Sequence, residues 1–545
     1  MATGAERTPL SLLALVVVQL GVLAVVLAAV PAPRFDLERH ALPKELVLHL
    51  TAGTATLLLL AQARRFTLTL ADALLAAFLL AGLCSALLAH NPWLAARALA
   101  VSLSGAALFW STRALRHRGW SRALVSAVAL AGVLGAAGAL GQAWGLFGPA
   151  LTRALGGLSR PPGGTFGNRN FMAHFTALTL PALALLALAA RTRLGALAPL
   201  AGAAAMSAAL VLSRSRAAWL GAAAAATVFT VELWLLARRS GGRGGRAGRG
   251  SGGVSLTRGR ALALAGALAA GVLLALAVPN RLAWRSDSPY LESLTGVANY
   301  REGSGRGRLI QYRNTLRMAE DAPLLGVGPG NWPVAYPRYT TPRDPAWNGG
   351  ALMPTNPWPS SDWVALLAER GAAGFVALLL FGGVLLARAR RAPSLEGLAL
   401  TATLVTAVVV GAFDAVLLLP APALAVFVLA GALAPDGRPI RGGSLPPRRR
   451  AWLLAGTALA AALMTGHAAL QVAAMRAYTD GKRAEERERA ARLDPGSYRI
   501  HAMLAADWQR RARCDRARPH AEAARALVPG VPAPRQVLRR CGRRP

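Results

Sequence analysis

The chain is 545 residues long, 54% hydrophobic, with a formal net charge of +36 and a mean hydropathy of +0.40. Hydropathy of that size excludes an ordinary soluble domain, and the apolar residues fall in blocks of about 20, the length of helix that crosses about 30 Å of hydrocarbon. The basic excess fits either nucleic-acid binding or the loops of a membrane protein, and its placement along the chain decides between them.

Spans are predicted at 9–31, 43–62, 66–89, 94–113, 121–147, 171–190, 194–213, 216–237, 261–278, 371–387, 395–420, 421–435 and 451–475. The fold class expected is all-α: a polytopic transmembrane helical bundle of about 12–13 spans, with a large extracytoplasmic loop and a small helical-repeat C-terminal tail. The first apolar run is too long for a signal-peptide core and no small-residue cleavage site closes it, so it reads as a helix. The 421–435 block is short for a full crossing.

Arg64–Arg65, Arg113–Arg122, Arg191 and Arg193, Arg238–Arg260, Arg388–Arg391 and Arg438–Arg450 fall between alternate pairs of spans. Placing these loops in the cytoplasm satisfies the positive-inside rule throughout, and puts 148–170, 279–362, the "SRSR" link and everything after 475 outside. The Gly/Arg-rich stretch Arg238–Gly253 has the look of an RNA-binding tract. It sits between two spans on the inside face, so a flexible linker and no nucleic-acid partner are expected. Four regions follow: 1–278, an N-terminal bundle; 279–362, the extracytoplasmic loop region; 363–475, C-terminal transmembrane helices; and 476–545, a soluble tail.

In the large loop, Arg308–Glu320 has helical spacing, with an apolar stripe of Leu309, Tyr312, Leu316 and Met318/Ala319 beside Arg308, Arg313 and Arg317. It reads as a surface helix, on protein or on the membrane. Gly326–Trp332 is a glycine-rich turn. In the tail, "ARLDPG" and "RALVPG" place Pro495 and Pro529 34 residues apart, the tetratricopeptide period. That pattern suggests a docking module for a protein partner, with an isolated helical hairpin as the alternative. Cys84 lies in a span as a packing residue. Cys514 and Cys541 lie in the outside tail, where the compartment allows a disulfide. No cysteine or histidine spacing points to a metal.

Charges at the outside membrane edge carry the chemistry. Arg214 and Arg216, in "LVLSRSRAAWLG", either snorkel to lipid phosphates or clamp an anionic group in a bidentate fork. In Gly163–Phe175, Asn168 and Asn170 precede a helix whose N-terminus favours anions and whose amides suit sugar hydroxyls. His174, one turn in, is either a proton acceptor or a structural histidine. Trp332, Tyr336, Trp358 and Trp363 supply aromatic walls. Glycosyl transfer from a lipid diphosphate needs these parts: a hold on the diphosphate, an oriented hydroxyl and a group to take its proton.

The motifs "GTFGNRNF", "SRSRAAWLG", "RGRLIQYRNTLRMAEDAPLLGVGPGNW" and "LLAERGAAG" occur in that order across roughly 160–390. They resemble the O-antigen ligase and O-antigen polymerase superfamily of bacterial inner-membrane proteins. The resemblance implies transfer of an undecaprenyl-diphosphate-linked glycan to a lipid or glycan acceptor at the periplasmic face, without metal or other cofactor. It implies that Arg216 and Arg308 hold the diphosphate, with Arg214 a weaker candidate; Asn168, Asn170, Trp358 and Trp363, from the chemistry of their side chains, are expected to meet the glycan. It also implies a multi-pass inner-membrane protein with a periplasmic tail. The family's usual histidine aligns with Ser360, its asparagine with Ser361 and a commonly acidic position with Asp362. A serine hydroxyl is no base near neutral pH. Three explanations stand: Asp362 replaces the histidine, His174 supplies an imidazole from another helix, or the chain is a non-catalytic scaffold of envelope polysaccharide assembly. A transporter ranks last, with Asp414, read as lying within a span, its sole acidic hint.

Overall fold

The computed structural model describes residues 7–148, 161–241, 258–284, 286–296, 299–301, 303–341, 344, 347–348 and 351–542. Most of the Gly/Arg-rich tract read as a linker lies outside the described residues. The protein is an all-α polytopic bundle, with 11 helices among the described residues long and apolar enough to cross a membrane. Two shorter apolar helices, Leu395–Gly411 and Pro420–Leu433, stand where the last crossings but one were expected.

The short Pro420–Leu433 helix is the centre of the molecule. All 14 of its residues are buried, among the helices Pro9–Leu27, Glu38–Ala61, Pro92–Arg116, Ser121–Ala143 and Arg169–Leu188. At a rise of about 1.5 Å per residue it is some 9 Å too short to span hydrocarbon alone. Enclosure makes that tolerable, because the free ends of a short helix are stable at membrane depth only where protein satisfies their backbone groups. The outer helices differ: only 6% of the apolar window of Pro447–Asp480 and 11% of that of Arg216–Leu236 is buried, leaving leucine-rich faces outward for lipid.

The basic loops gather at one end of the bundle. Arg113 pairs with Asp72 at 2.7 Å, Arg116 with Asp436, and the Leu445 N–H reaches Arg64 O at 2.7 Å. A two-stranded antiparallel ribbon, Arg65–Thr69 with Pro439–Ser444, closes this end. The sequence reading took its first half into a span and missed it, because the partner strand lies some 370 residues away.

At the other end sit the loop region and the tail. The loop helix, Gly303–Asp321, packs on the start of Asp362–Arg391. Its buried face keeps only part of the anticipated stripe: Met318 and Ala319 are enclosed together with Gln311, Asn314 and Thr315, whereas Leu309 and Leu316 are 48% and 43% exposed. Polar residues win this face because each finds a partner. Gln311 Oε1 accepts from Ser360 N at 2.7 Å, Thr315 Oγ1 from Trp332 Nε1 at 2.9 Å, and Asn314 Nδ2 donates to Asp344 at 3.1 Å. The tail helices Ala484–Leu493, Tyr498–Arg510, Cys514–Leu527 and Pro532–Gly542 fold against one another, and a disulfide joins Cys514 to Cys541. The tail docks onto the bundle through His90 to Ala526 O at 2.9 Å and onto the loop region through Tyr498 to Leu352 O at 2.7 Å.

Candidate functional site

Residues 412–419 form the break before the central helix, and the site is built on it. Asp362 begins its helix with Ser361 as N-cap, and its fully enclosed carboxylate accepts Val416 N at 3.0 Å and Leu417 N at 2.7 Å. Ser361 Oγ donates to Gly411 O at 3.0 Å. The Tyr312 hydroxyl lies 2.7 Å from Ser360 O and 2.8 Å from Ala412 O, joining the loop helix, position 360 and the break. Burial pushes the Tyr312 phenol up to about 12, with Arg308 opposing and Asp414 and Tyr300 adding to the shift. Tyr312 is therefore a neutral donor at physiological pH, and Arg308 and Asp414 both lie within electrostatic reach of it.

The break turns Asp414 toward His174. Their Oδ2 and Nε2 are 3.9 Å apart, and Ser215 Oγ stands 3.5 Å from the same Nε2. The imidazole is wholly buried and its Nδ1 has no hydrogen-bond partner among the described residues, while the Asp414 side chain is 14% exposed. Separations of this length are loose for proton transfer and are of the kind that tighten once a substrate is bound. Asp414 thus does not lie within a helical span as expected; it is a residue of the break. Arg308, half-buried, acts electrostatically on His174, Arg216 and Tyr312, yet no hydrogen bond or ion pair joins it to another described residue.

The structure brings together three of the residues singled out from sequence: His174, Arg216 and Arg308. Arg216 donates to Gly296 O. Arg214, at φ +53°, turns away: its guanidinium bonds Ser293 at 2.8 Å and Glu292 at 2.9 Å and lies over Trp284. Asn168 is the N-cap of Arg169–Leu188, accepting from Asn170 N at 2.9 Å, and Asn170 is half-buried in the first turn. The Trp358 ring lies tilted against Phe171 at 5.8 Å, and Phe171 in turn lies 6.4 Å from His174. Trp363 donates to Val408 O on the neighbouring helix. Trp332 and Tyr336, expected as walls, are a buried stacked pair inside the loop region, because their polar atoms find partners there. Asp414, Tyr312 and Ser215 were missed as site residues. The signal for Asp414 was present, an acid in an apolar stretch, but its pairing with His174 spans 240 residues of chain.

The motif "LLAERGAAG" also gains a physical account. At Gly371, φ +62°, the helix is interrupted and the chain at Leu324 comes against it, with Ala372 N donating to Pro323 O at 2.8 Å. Gly326, Gly328 and Gly330 all have positive φ, and the turn they form is bound to Glu369: Gly328 N to its carbonyl at 3.0 Å, Trp332 N to its carboxylate at 3.1 Å. A left-handed backbone is open to glycine at little cost.

Two short apolar helices that meet at residues 412–419 inside an enclosing bundle, with guanidinium groups and a histidine–carboxylate pair at that junction, define a multi-pass membrane protein whose site lies at one end of the bundle. The family model described as O-Antigen ligase matches residues 201–379, and the match supports a relation to the O-antigen ligase superfamily. The matched segment holds Arg214, Arg216, Arg308, Tyr312, Ser360 and Asp362; His174 and Asp414 flank it. No curated protein matches the chain.

Proposed function

We propose that the protein transfers a glycan from an undecaprenyl-diphosphate-linked saccharide to an acceptor hydroxyl, as an O-antigen ligase or polymerase, at the periplasmic face of a bacterial inner membrane. The observation that carries the reading is Arg308: a half-buried guanidinium without a protein acceptor among the described residues, acting on the His174–Asp414 pair and on Arg216. Arg308 and Arg216 take the diphosphate oxygens, where a planar fork matches phosphate geometry. As the bond from the anomeric carbon to the phosphate oxygen breaks, negative charge grows on that oxygen, and preorganised cations stabilise it. Asp414, the open member of the pair, meets the acceptor hydroxyl and takes its proton; His174 behind it steadies the carboxylate. Asp362 has a positioning role, holding the break that aims Asp414. Arg214 anchors the Pro289–Thr295 helix, whose following Gly296 meets Arg216. The positive-inside rule puts the basic end of the bundle in the cytoplasm, and so the site and the tail in the periplasm. The tail's 34-residue proline spacing supports a tetratricopeptide-type module.

Undecaprenyl-diphosphate-linked glycan is the quantity to measure, in cells lacking the protein. It should accumulate, wild type should clear it, and Arg308→Ala or Arg216→Ala should not. Unchanged lipid-linked glycan in the deletion, or full rescue by Arg308→Ala, would overturn the transferase reading in favour of a scaffold.

A further inference from the structure

A groove of about 400 Å³ opens between Arg216–Gly241 and the end of Asp362–Arg391. It lies at the basic end of the bundle, where Arg388 sits against Gly437 just before the ribbon strand Pro439–Ser444. Both helices pack on Leu395–Gly411, which supplies Leu398 to the lining. The size falls within the about 300–1,000 Å³ of ligand clefts. The walls are apolar, with Val228, Val231 and Leu235 on one side and Ala389 and Pro393 on the other. Val231 and Leu235 are 50% and 40% exposed, so the groove opens sideways, toward lipid. Beside them Trp234 is half exposed and carries the Arg238 guanidinium over its ring at 3.6 Å. An amphipathic ring with a snorkelling cation marks the head-group level of a bilayer. The groove therefore lies where the tail of a phospholipid meets its head group.

Two hydroxyls on the lining are used locally. Thr227 donates to Ala223 O at 2.9 Å, and Ser394 Oγ accepts from Gly397 N at 3.0 Å. One carboxylate and one guanidinium, Glu232 and Arg390, are left to meet a ligand. They face each other with Oε1 and Nε 3.7 Å apart, beyond hydrogen-bonding distance, on side chains 23% and 61% exposed. Each thus keeps hydrogen-bonding capacity toward the groove, and Arg391 adds a second exposed cation. A phosphate suits the guanidinium groups, and a primary ammonium suits the carboxylate. A head group carrying both has every charge matched. A glycerol head group brings phosphate alone and leaves Glu232 facing a like charge, and a trimethylammonium has no N–H to donate to it. We propose that this groove binds a phospholipid with a primary-amine head group, phosphatidylethanolamine, its acyl chain laid along Val228, Val231 and Leu235. The site is remote from the arginines of the break and does not rest on the transfer reading.

The test carries the full-length protein into native mass spectrometry from nanodiscs that hold equal parts of phosphatidylethanolamine, phosphatidylglycerol and phosphatidylcholine with identical acyl chains. After mild delipidation the wild type should retain phosphatidylethanolamine about three- to tenfold over each of the others, as expected for a charge-assisted hydrogen bond near solvent. Glu232→Leu, which removes the acceptor, should bring the ethanolamine and choline lipids level. Arg390→Gln should weaken retention of all three, since all carry phosphate. The wild-type comparison needs no variant, so a variant that fails to fold leaves the test intact. Equal retention of the three lipids by the wild type, a preference for phosphatidylglycerol, or a preference unchanged in Glu232→Leu would overturn the proposal.

Discussion

Asp362 and Asp414 are the two acids at the break, and their surroundings divide their roles. Asp362 is sealed, with both oxygens on backbone N–H groups; Asp414 is partly open and faces an imidazole. Asp362→Ala would leave Val416 and Leu417 N–H unsatisfied, at about 2–5 kcal/mol for two buried donors. A clear fall in the thermal midpoint of the purified protein is expected; an unchanged midpoint would contradict the positioning role. Sequence made Arg308, Arg216 and His174 legible, because a charge or imidazole at the membrane edge stands out against apolar neighbours. It could not show that Arg214 is taken by Glu292, or that Tyr312 joins position 360 to Ala412. Those are contacts between segments 48 to 100 residues apart, to which local pattern is blind.

Elements were legible where one period dominates. Most spans came from hydropathy alone, and their ends shifted where caps or breaks intervene: the helix expected from 371 begins at Asp362. The loop helix was placed but its buried face only in part, since polar residues with partners take the places expected of Leu309 and Leu316. In the tail, two enclosed groups titrate in opposition. Burial first, then the facing His520 at 3.1 Å, holds His501 down at about 4, while Pro495 O accepts on its other side. Its contribution is complete above about 6.5 and is lost as pH falls toward 4. Burial pushes Asp494 up to about 6, opposed by Arg97 and reinforced by Glu38, so its contribution is present below about 4 and lost as pH rises through 6. The two slopes offset each other in the wild type. Melting curves of the intact protein between pH 4 and pH 7 should separate them: His501→Asn should gain a few degrees toward acid, and Asp494→Asn should lose a few degrees. Parallel slopes in the two variants would contradict this account of the tail.

At the scale of the whole molecule, alternating basic loops predicted a common end of the bundle, and the ion pairs at Arg113 and Arg116 and the ribbon are gathered there. What hydropathy could not supply is depth: the central helix is the least like an independent crossing and the most buried. A short helix enclosed at the core lets a membrane protein present backbone and charge to a ligand without exposing either to lipid. The central claim is that this break performs glycan transfer from a lipid diphosphate. Purified protein in liposomes loaded with lipid-linked glycan and acceptor tests it most directly, through the release of undecaprenyl diphosphate. Wild type should release it, and Asp414→Asn should slow release about a hundredfold or more while keeping the wild-type thermal midpoint. Glycan that stays on its lipid in the presence of wild-type protein, or release by Asp414→Asn at the wild-type rate, would contradict the claim.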